Sequence, residues 1–349
     1  MIEPVTKVRK RGEQIRQFIL AKIEDHPKDV ATLAAQEFGI TRQAVNKHIQ
    51  RLVKQKAIVV QGSTKNRSYQ LHPLVEWMQP YQIDKKIEED VVWNSDIKPL
   101  IVDLPENVKD IWMYGFTEML NNAIDHSSGK FVVVTLKRDA INTEIAIIDD
   151  GEGIFKKIQR ELDLNDERHA VLELAKGKLT TDPDRHSGEG IFFTSRMFDK
   201  FKIFSGNVDF SHDFNEVEDW IMESQQPSSG TMVFMKLDNN TLRTSKQIFD
   251  KFSFGDDYAF TKTVVPVHMA QYENEKLVSR SQAKRLLARI DKFKVVVFDF
   301  SGVEAIGQAF ADEVFRVFKI KHPDIEVMSL NANEEVTQMI KRAQGSFDT

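Results

Sequence analysis

The residues that could do chemistry fall in three short stretches, in fixed order along the chain. TEMLNNAIDHS, residues 117–127, has a glutamate and an asparagine four apart, Glu118 and Asn122. Helical spacing puts both on one face of a helix whose other residues include Met119, Leu120, Ala123 and Ile124. In EIAIIDDGEGIF, residues 144–155, apolar residues alternate as in a strand. The strand ends at Asp149, and Gly151 and Gly153 follow. In HSGEGIFFTSRMF, residues 186–198, Gly188 and Gly190 lead into a helical pattern. Backbone N–H groups at such a helix start can cradle phosphate, so the constellation is one that handles phosphate. Taken singly, each stretch also has a plainer reading: a solvated helix stripe, a tight turn, a glycine entry to a helix.

A chain of 349 residues needs two or three domains to position these groups. It has no cysteine, which excludes disulfides and thiolate chemistry and fits a cytoplasmic protein. No apolar run is long enough for a membrane span, and the basic N-terminus has no signal-peptide core behind it. The net charge of −5 hides an asymmetry. Residues 1–75 hold 14 Lys and Arg against 6 Asp and Glu, so the remaining 274 residues carry −13. A basic head on an acidic body points to a polyanion at the head alone.

That head reads as two helices with apolar stripes at Ile15, Phe18, Ile19, Ile23 and at Val30, Leu33, Ala34, Phe38. Gly39 stops the second helix, and Thr41 caps a third with Val45, Ile49, Leu52 and Val53 inward. AIVVQGSTKNRSYQL then reads as two short strands around a turn. Helix, helix, short turn, helix, basic hairpin resembles an α+β winged helix-turn-helix. The resemblance implies DNA binding, with Arg42, Gln43, Asn46 and Lys47 at base edges and Lys65 and Arg67 at phosphate or the minor groove. A winged helix used for protein contact is the alternative. Residues 76–100, charged and weakly periodic, read as a connector.

Residues 101–240 contain the three stretches, and together they resemble the GHKL ATPases of the gyrase, histidine kinase and MutL type. The resemblance implies an α/β-sandwich Bergerat fold with ATP and Mg²⁺ as cofactors. Glu118 and Asn122 match the family's first box, Asp149, Gly151 and Gly153 its second, Gly188 and Gly190 its third, and Thr231 its closing strand. On that match Asn122 is the Mg²⁺ ligand, Glu118 accepts a proton from the attacking water or hydroxyl, and Asp149 takes the adenine amino group. The lid LAKGKLTTDPDRHSGEG is similar to that of anti-sigma-factor serine kinases. It adds Lys178, Thr181 and Ser187 as nucleotide contacts, with Arg185 and His186 where a basic residue is usual. Asp163, Asp166 and Glu167 could suggest a metal site, against the plainer reading of a solvated helix face.

Residues 250–349 alternate strand and helix, which predicts an α/β domain. FDFSGVEAIGQAFADEVF resembles STAS domains, the fold of anti-sigma-factor antagonists. The resemblance implies a protein partner. The antagonists' acceptor serine has no counterpart in Val303–Ala309, so phosphorylation at that position is excluded. Ser301 reads as a strand-end cap; Ser279 and Ser281 read as a helix start, with phosphoacceptors as the alternative; Asp312 and Glu313 read as an exposed helix face or a local salt bridge with Arg316, with a partner or cation site as the alternative. The function expected is an ATP-binding, ATP-hydrolysing, DNA-binding regulator in which nucleotide state gates the winged helix through the STAS-like domain. The alternatives are a serine/threonine kinase acting on a separate partner and an ATP-driven dimerising clamp, and a homodimer is left open.

Overall fold

A computed structural model of the chain describes residues 3–63, 66–83, 87–179, 188–216, 219–253, 259–271 and 275–345. The chain divides into two compact units. The first gathers the chain through Met78 with Thr135–Ile145 and Leu237–Asn240; the second gathers Gln79–Val134, Ala146–Lys236 and the chain from Thr241 onward.

The first unit begins with helices α1 (Glu3–Lys22), α2 (Val30–Phe38) and α3 (Arg42–Lys54). Gly39 ends α2 in the left-handed conformation, with φ 61°, and the Thr41 hydroxyl caps α3 by accepting from Ala44 N at 3.2 Å. Strands β1 (Ile58–Gln61) and β2 (Ser68–Leu71) follow as an antiparallel pair, Ile58 opposite Leu71. The apolar stripes converge on one core of Ile19, Ile23, Ala34, Val45, Ile49 and Tyr69.

Residues 76–100, expected as a connector, hold most of strand β3 (Val75–Gln82), helix α4 (Glu89–Val92), a π-helical turn (Trp93–Ile97) and most of a 3₁₀ turn (Lys98–Ile101). β3 is the edge strand of a five-stranded sheet ordered β3-β4-β5-β7-β6. Pro80 is tolerated there because an edge strand has one side without ladder bonds. The long helix α5 (Glu106–His126) precedes the hairpin of β4 (Phe131–Arg138) and β5 (Asn142–Asp149). Helices α6 (Ile154–Glu161), α7 (Glu167–Lys176) and α8 (Gly190–Met197) come next, then the antiparallel pair β6 (Lys200–Asp213) and β7 (Trp220–Asp238). Trp112, Phe116 and Leu120 on α5 are fully buried, as are Val132, Val134 and Ile145 in the strands.

Helix α9 (Ser245–Phe252), opened by a Thr244 capping box, leads to the C-terminal elements. These are β8 (Lys262–Pro266), α10 (Arg280–Leu287), β9 (Val295–Asp299), α11 (Gln308–Asp312), α12 (Phe318–Lys321), β10 (Glu326–Leu330) and α13 (Glu334–Gly345). The three strands are parallel in the order β10-β9-β8, with Val264, Val297 and Met328 in register. β9 is buried through Phe298, as a central parallel strand must be. Phe310, Val314, Phe315 and Phe318 face inward along the helical run of α11 and α12. Among the described residues no helix is long and apolar enough to cross a membrane.

Candidate functional site

Asp149 ends β5 and is buried. Its Oδ1 accepts from Gly151 N at 2.9 Å and from Thr231 N at 3.2 Å. Burial pushes the carboxyl above its ordinary range, and the two N–H donors only partly pull it back. The Thr231 hydroxyl in turn accepts from Ile154 N at 3.0 Å, which ties β7 to the start of α6. Asp150, next in sequence, has a different task. Its Oδ1 accepts from Lys130 N and Phe131 N at 2.7 and 2.9 Å and pins the turn to β4.

Asp149 forms part of the wall of a cavity of about 320 Å³. The cavity brings together Glu118, Asn122, Asp149, Gly188, Gly190 and Thr231, from α5, β5, α8 and its approach, and β7. Met119, Ile147, Ile154, Ile158, Leu174 and Val233 supply the apolar surface. An apolar chamber with a few convergent polar groups is the usual form of a small-molecule site. Glu118 lies against the first turn of α8. A Cβ built on Gly190 would meet Glu118 Oε2, so any larger residue there would push the Glu118 side chain aside. Gly151 and Gly153 are not in the wall; they form the turn behind Asp149, and Gly153 starts α6 with φ 91°.

Four polar wall residues, Asn121, His126, Ser127 and Lys157, lie outside the roles that the motifs imply. Asn121 lines the cavity beside Asn122, and His126 lines it one turn further on. Lys157 Nζ donates to the His126 carbonyl at 2.8 Å and lies 3.9 Å from Glu161. No motif announces Lys157: its position depends on how α6 folds back onto the end of α5.

Lys178, expected at phosphate, does not line the cavity; its Nζ donates to the Lys292 carbonyl at 3.1 Å. Thr180, Thr181, Pro183, Arg185, His186, Ser187 and Lys65 lie outside the described residues. Asp166 caps α7 by accepting from His169 N at 2.8 Å, and Glu167 accepts from Asn207 N at 3.0 Å. Among the described residues no group of three or more His, Cys, Asp or Glu is placed to hold a metal.

In the first unit, Arg42, Gln43, Asn46 and Lys47 are exposed together on the outer face of α3. Arg67 is exposed beside β2, its guanidinium 5.3 Å from the centre of the Tyr69 ring. In the C-terminal elements, Ser301 Oγ donates to Asp299 Oδ1 at 2.8 Å, and Asn331 Nδ2 donates to both side chains at 3.0 Å. Ser279 caps α10 in a capping box with Gln282, and Asp312 pairs with Arg316 at 3.3 Å.

The fold and site therefore define a multidomain α/β protein with one three-stranded parallel sheet, a five-stranded sheet containing antiparallel pairs and a two-stranded antiparallel pair. Residues 282–337 match the family described as a STAS-like domain of unknown function, DUF4325, so the chain carries a STAS-like domain at its C-terminus. No curated protein matches the chain.

Proposed function

We propose that the chain is an ATP-binding, Mg²⁺-dependent regulator of the GHKL type, in which occupancy of the cavity governs DNA binding by an N-terminal winged helix. The observation that carries the reading is the buried Asp149 carboxyl beside the apolar part of the wall, facing the same cavity as Glu118, Asn122 and the glycine-led start of α8. An adenine needs an acceptor for its amino group in a flat apolar slot, and Asp149 beside Ile147, Ile154 and Val233 provides one. The hard amide oxygen of Asn122 suits Mg²⁺, which when bound neutralises phosphate charge. Lys157 supplies a cation in a wall that also contains two carboxylates, Glu118 and Asp149.

Asp149→Asn tests the nucleotide site. Asparagine keeps an oxygen for Gly151 N and Thr231 N but presents an amide donor where the adenine amino group needs an acceptor. We expect ATP affinity to fall by about 100-fold in isothermal titration, the scale of a hydrogen bond to a charged group. Folding stability should move the other way. A carboxyl whose folded pKa is raised contributes stability below its unfolded pKa and loses it as pH rises through the folded value. At neutral pH the wild type therefore carries a buried charge that the amide does not. The variant should be more stable by about 1 kcal/mol at pH 7, and the gain should vanish as pH drops through the ordinary carboxylate range. Unchanged ATP affinity would remove Asp149 from base recognition.

The exposed face of α3 tests the other half. Duplex DNA should bind with an affinity that falls steeply with salt and differs between the ATP-loaded and free protein. Arg42→Ala with Lys47→Ala should weaken it by at least about tenfold in fluorescence anisotropy, since a base-edge contact is worth about 1–3 kcal/mol and each cation removed also lowers the attraction to the duplex. Binding insensitive to salt and to ATP would favour a protein-contact role for this unit.

A further inference from the structure

The helix that walls the cavity is also bolted to the STAS-like domain. Leu174 on α7 and Leu179 just beyond it line the cavity. Between them lies Lys176, whose side chain is fully buried. Its Nζ donates to Arg285 O and Ala288 O, both at 3.0 Å, at the C-terminal end of α10, and to Glu173 Oε1 at 2.7 Å. A cation there meets the carbonyl-rich, partly negative end of a helix. Arg289 reaches back from the STAS-like domain to Glu173 Oε2 at 3.3 Å. The Lys176 carbonyl accepts from Thr263 Oγ1 at 2.6 Å.

The next two residues continue the attachment. Gly177 and Lys178 both have positive φ, 81° and 54°. A Cβ on Gly177 would fall 2.7 Å from the Phe260 ring and 2.9 Å from Phe192, so the chain threads between two rings where only glycine fits. Lys178 Nζ donates to Lys292 O, and Lys292 Nζ donates to Lys178 O at 3.3 Å. The Lys178 ammonium also lies 5.0 Å from the Phe293 ring centre. A second connection runs through rings: Phe192, in the cavity wall, lies 4.5 Å from Phe260, and Phe260 lies 5.2 Å from Phe293.

From this geometry we infer that the STAS-like domain reads the occupancy of the cavity through residues 173–179, which act as a coupling strap. The inference rests on the nucleotide reading above. A ligand that moves Leu174, Leu179 or Phe192 must also move Gly177 and Lys178, because close-packed contacts leave no slack to absorb the shift. The domain on which the strap ends is a known interaction module, so its own helix α10 becomes the output. Coupling of this kind is reciprocal: whatever restrains α10 changes ligand affinity by the same factor.

The test is hydrogen exchange of peptides spanning residues 280–292 in the full chain, with and without ATP and Mg²⁺, with saturation checked by titration of the same sample. We expect protection in 280–292 to change by at least about fivefold on saturation. Lys178→Met should reduce that change below about twofold while the protein still saturates with ATP. Phe293→Leu serves as the second variant should Lys178→Met fail to fold. Saturation without a change in 280–292 overturns the strap and leaves the nucleotide site standing. A change that persists in the variant overturns Lys178 as the route. No saturation of the wild type overturns the nucleotide reading, and the strap with it.

Discussion

Glu118→Gln is expected to lower ATP turnover by about 10²–10³-fold, the usual contribution of a positioned proton acceptor, while ATP affinity stays within about threefold. Glutamine keeps the size of the side chain and its place against Gly190 in the first turn of α8. It loses only the ability to take a proton. In a reaction where water attacks a phosphoryl group, that loss falls on the transition state and spares the ground state. Tyr114 stands one turn earlier on the same face of α5, and its phenol is held in the protonated form by burial first and then by Glu118 and Glu189. Phosphate release should be followed together with label on protein. Equal loss of free phosphate and of labelled protein would place Glu118 in transfer as well as in hydrolysis. Turnover unchanged in the variant would take Glu118 out of the chemistry and leave ATP as a bound signal.

The elements that the sequence revealed are those built on strong local patterns. The stripes on α1 to α3 are legible because a three-helix core needs an apolar residue on every turn, and Ile19, Ile23, Val45 and Ile49 supply it. Asp149 is legible because alternation in β5 stops at a carboxylate followed by glycines. β9 shows as a run of buried valines, and the Phe residues of α11 and α12 show the helical period. Other features carry no local mark. β3 is masked by Pro80, which argues against a strand everywhere except at an edge. β8 is five residues that end in proline and make sense only beside β9. Asn121 and Lys157 enter the wall through tertiary packing, α6 against the end of α5, which no spacing along the chain encodes. Lys178 is the sharpest case. A lysine near a glycine-rich lid suggests phosphate, but a left-handed turn at Gly177 and Lys178 swings its ammonium to the Lys292 carbonyl and the Phe293 ring.

Lys176→Met should destabilise the unit that contains it by about 3 kcal/mol in urea unfolding followed by tryptophan fluorescence, with Trp112 buried in the same unit as reporter. Methionine fills nearly the same volume, so the cost is electrostatic and not a cavity. Burial depresses the pKa of Lys176, and Glu173 partly restores it. At Glu173 burial pushes the carboxyl up, but His169, Lys176 and Arg289 together outweigh it and hold it below the ordinary range. Glu173 is therefore ionised in the folded chain, with its charge spread over several partners. Removing the ammonium leaves that carboxylate 2% exposed and strips a donor from Arg285 O and Ala288 O. Arg289 at 3.3 Å still faces Glu173, which keeps the loss at the lower end for a broken buried pair. Partial recovery in a double variant, Glu173→Leu with Lys176→Met, separates the two sources of cost. The double variant removes the orphaned carboxylate and should regain about half of the loss, leaving the part due to the α10 carbonyls. A double variant no more stable than the single one would locate the whole effect at those carbonyls. The attachment of α7 to the STAS-like domain would then rest on the helix end alone, with Glu173 and Arg289 contributing nothing to it.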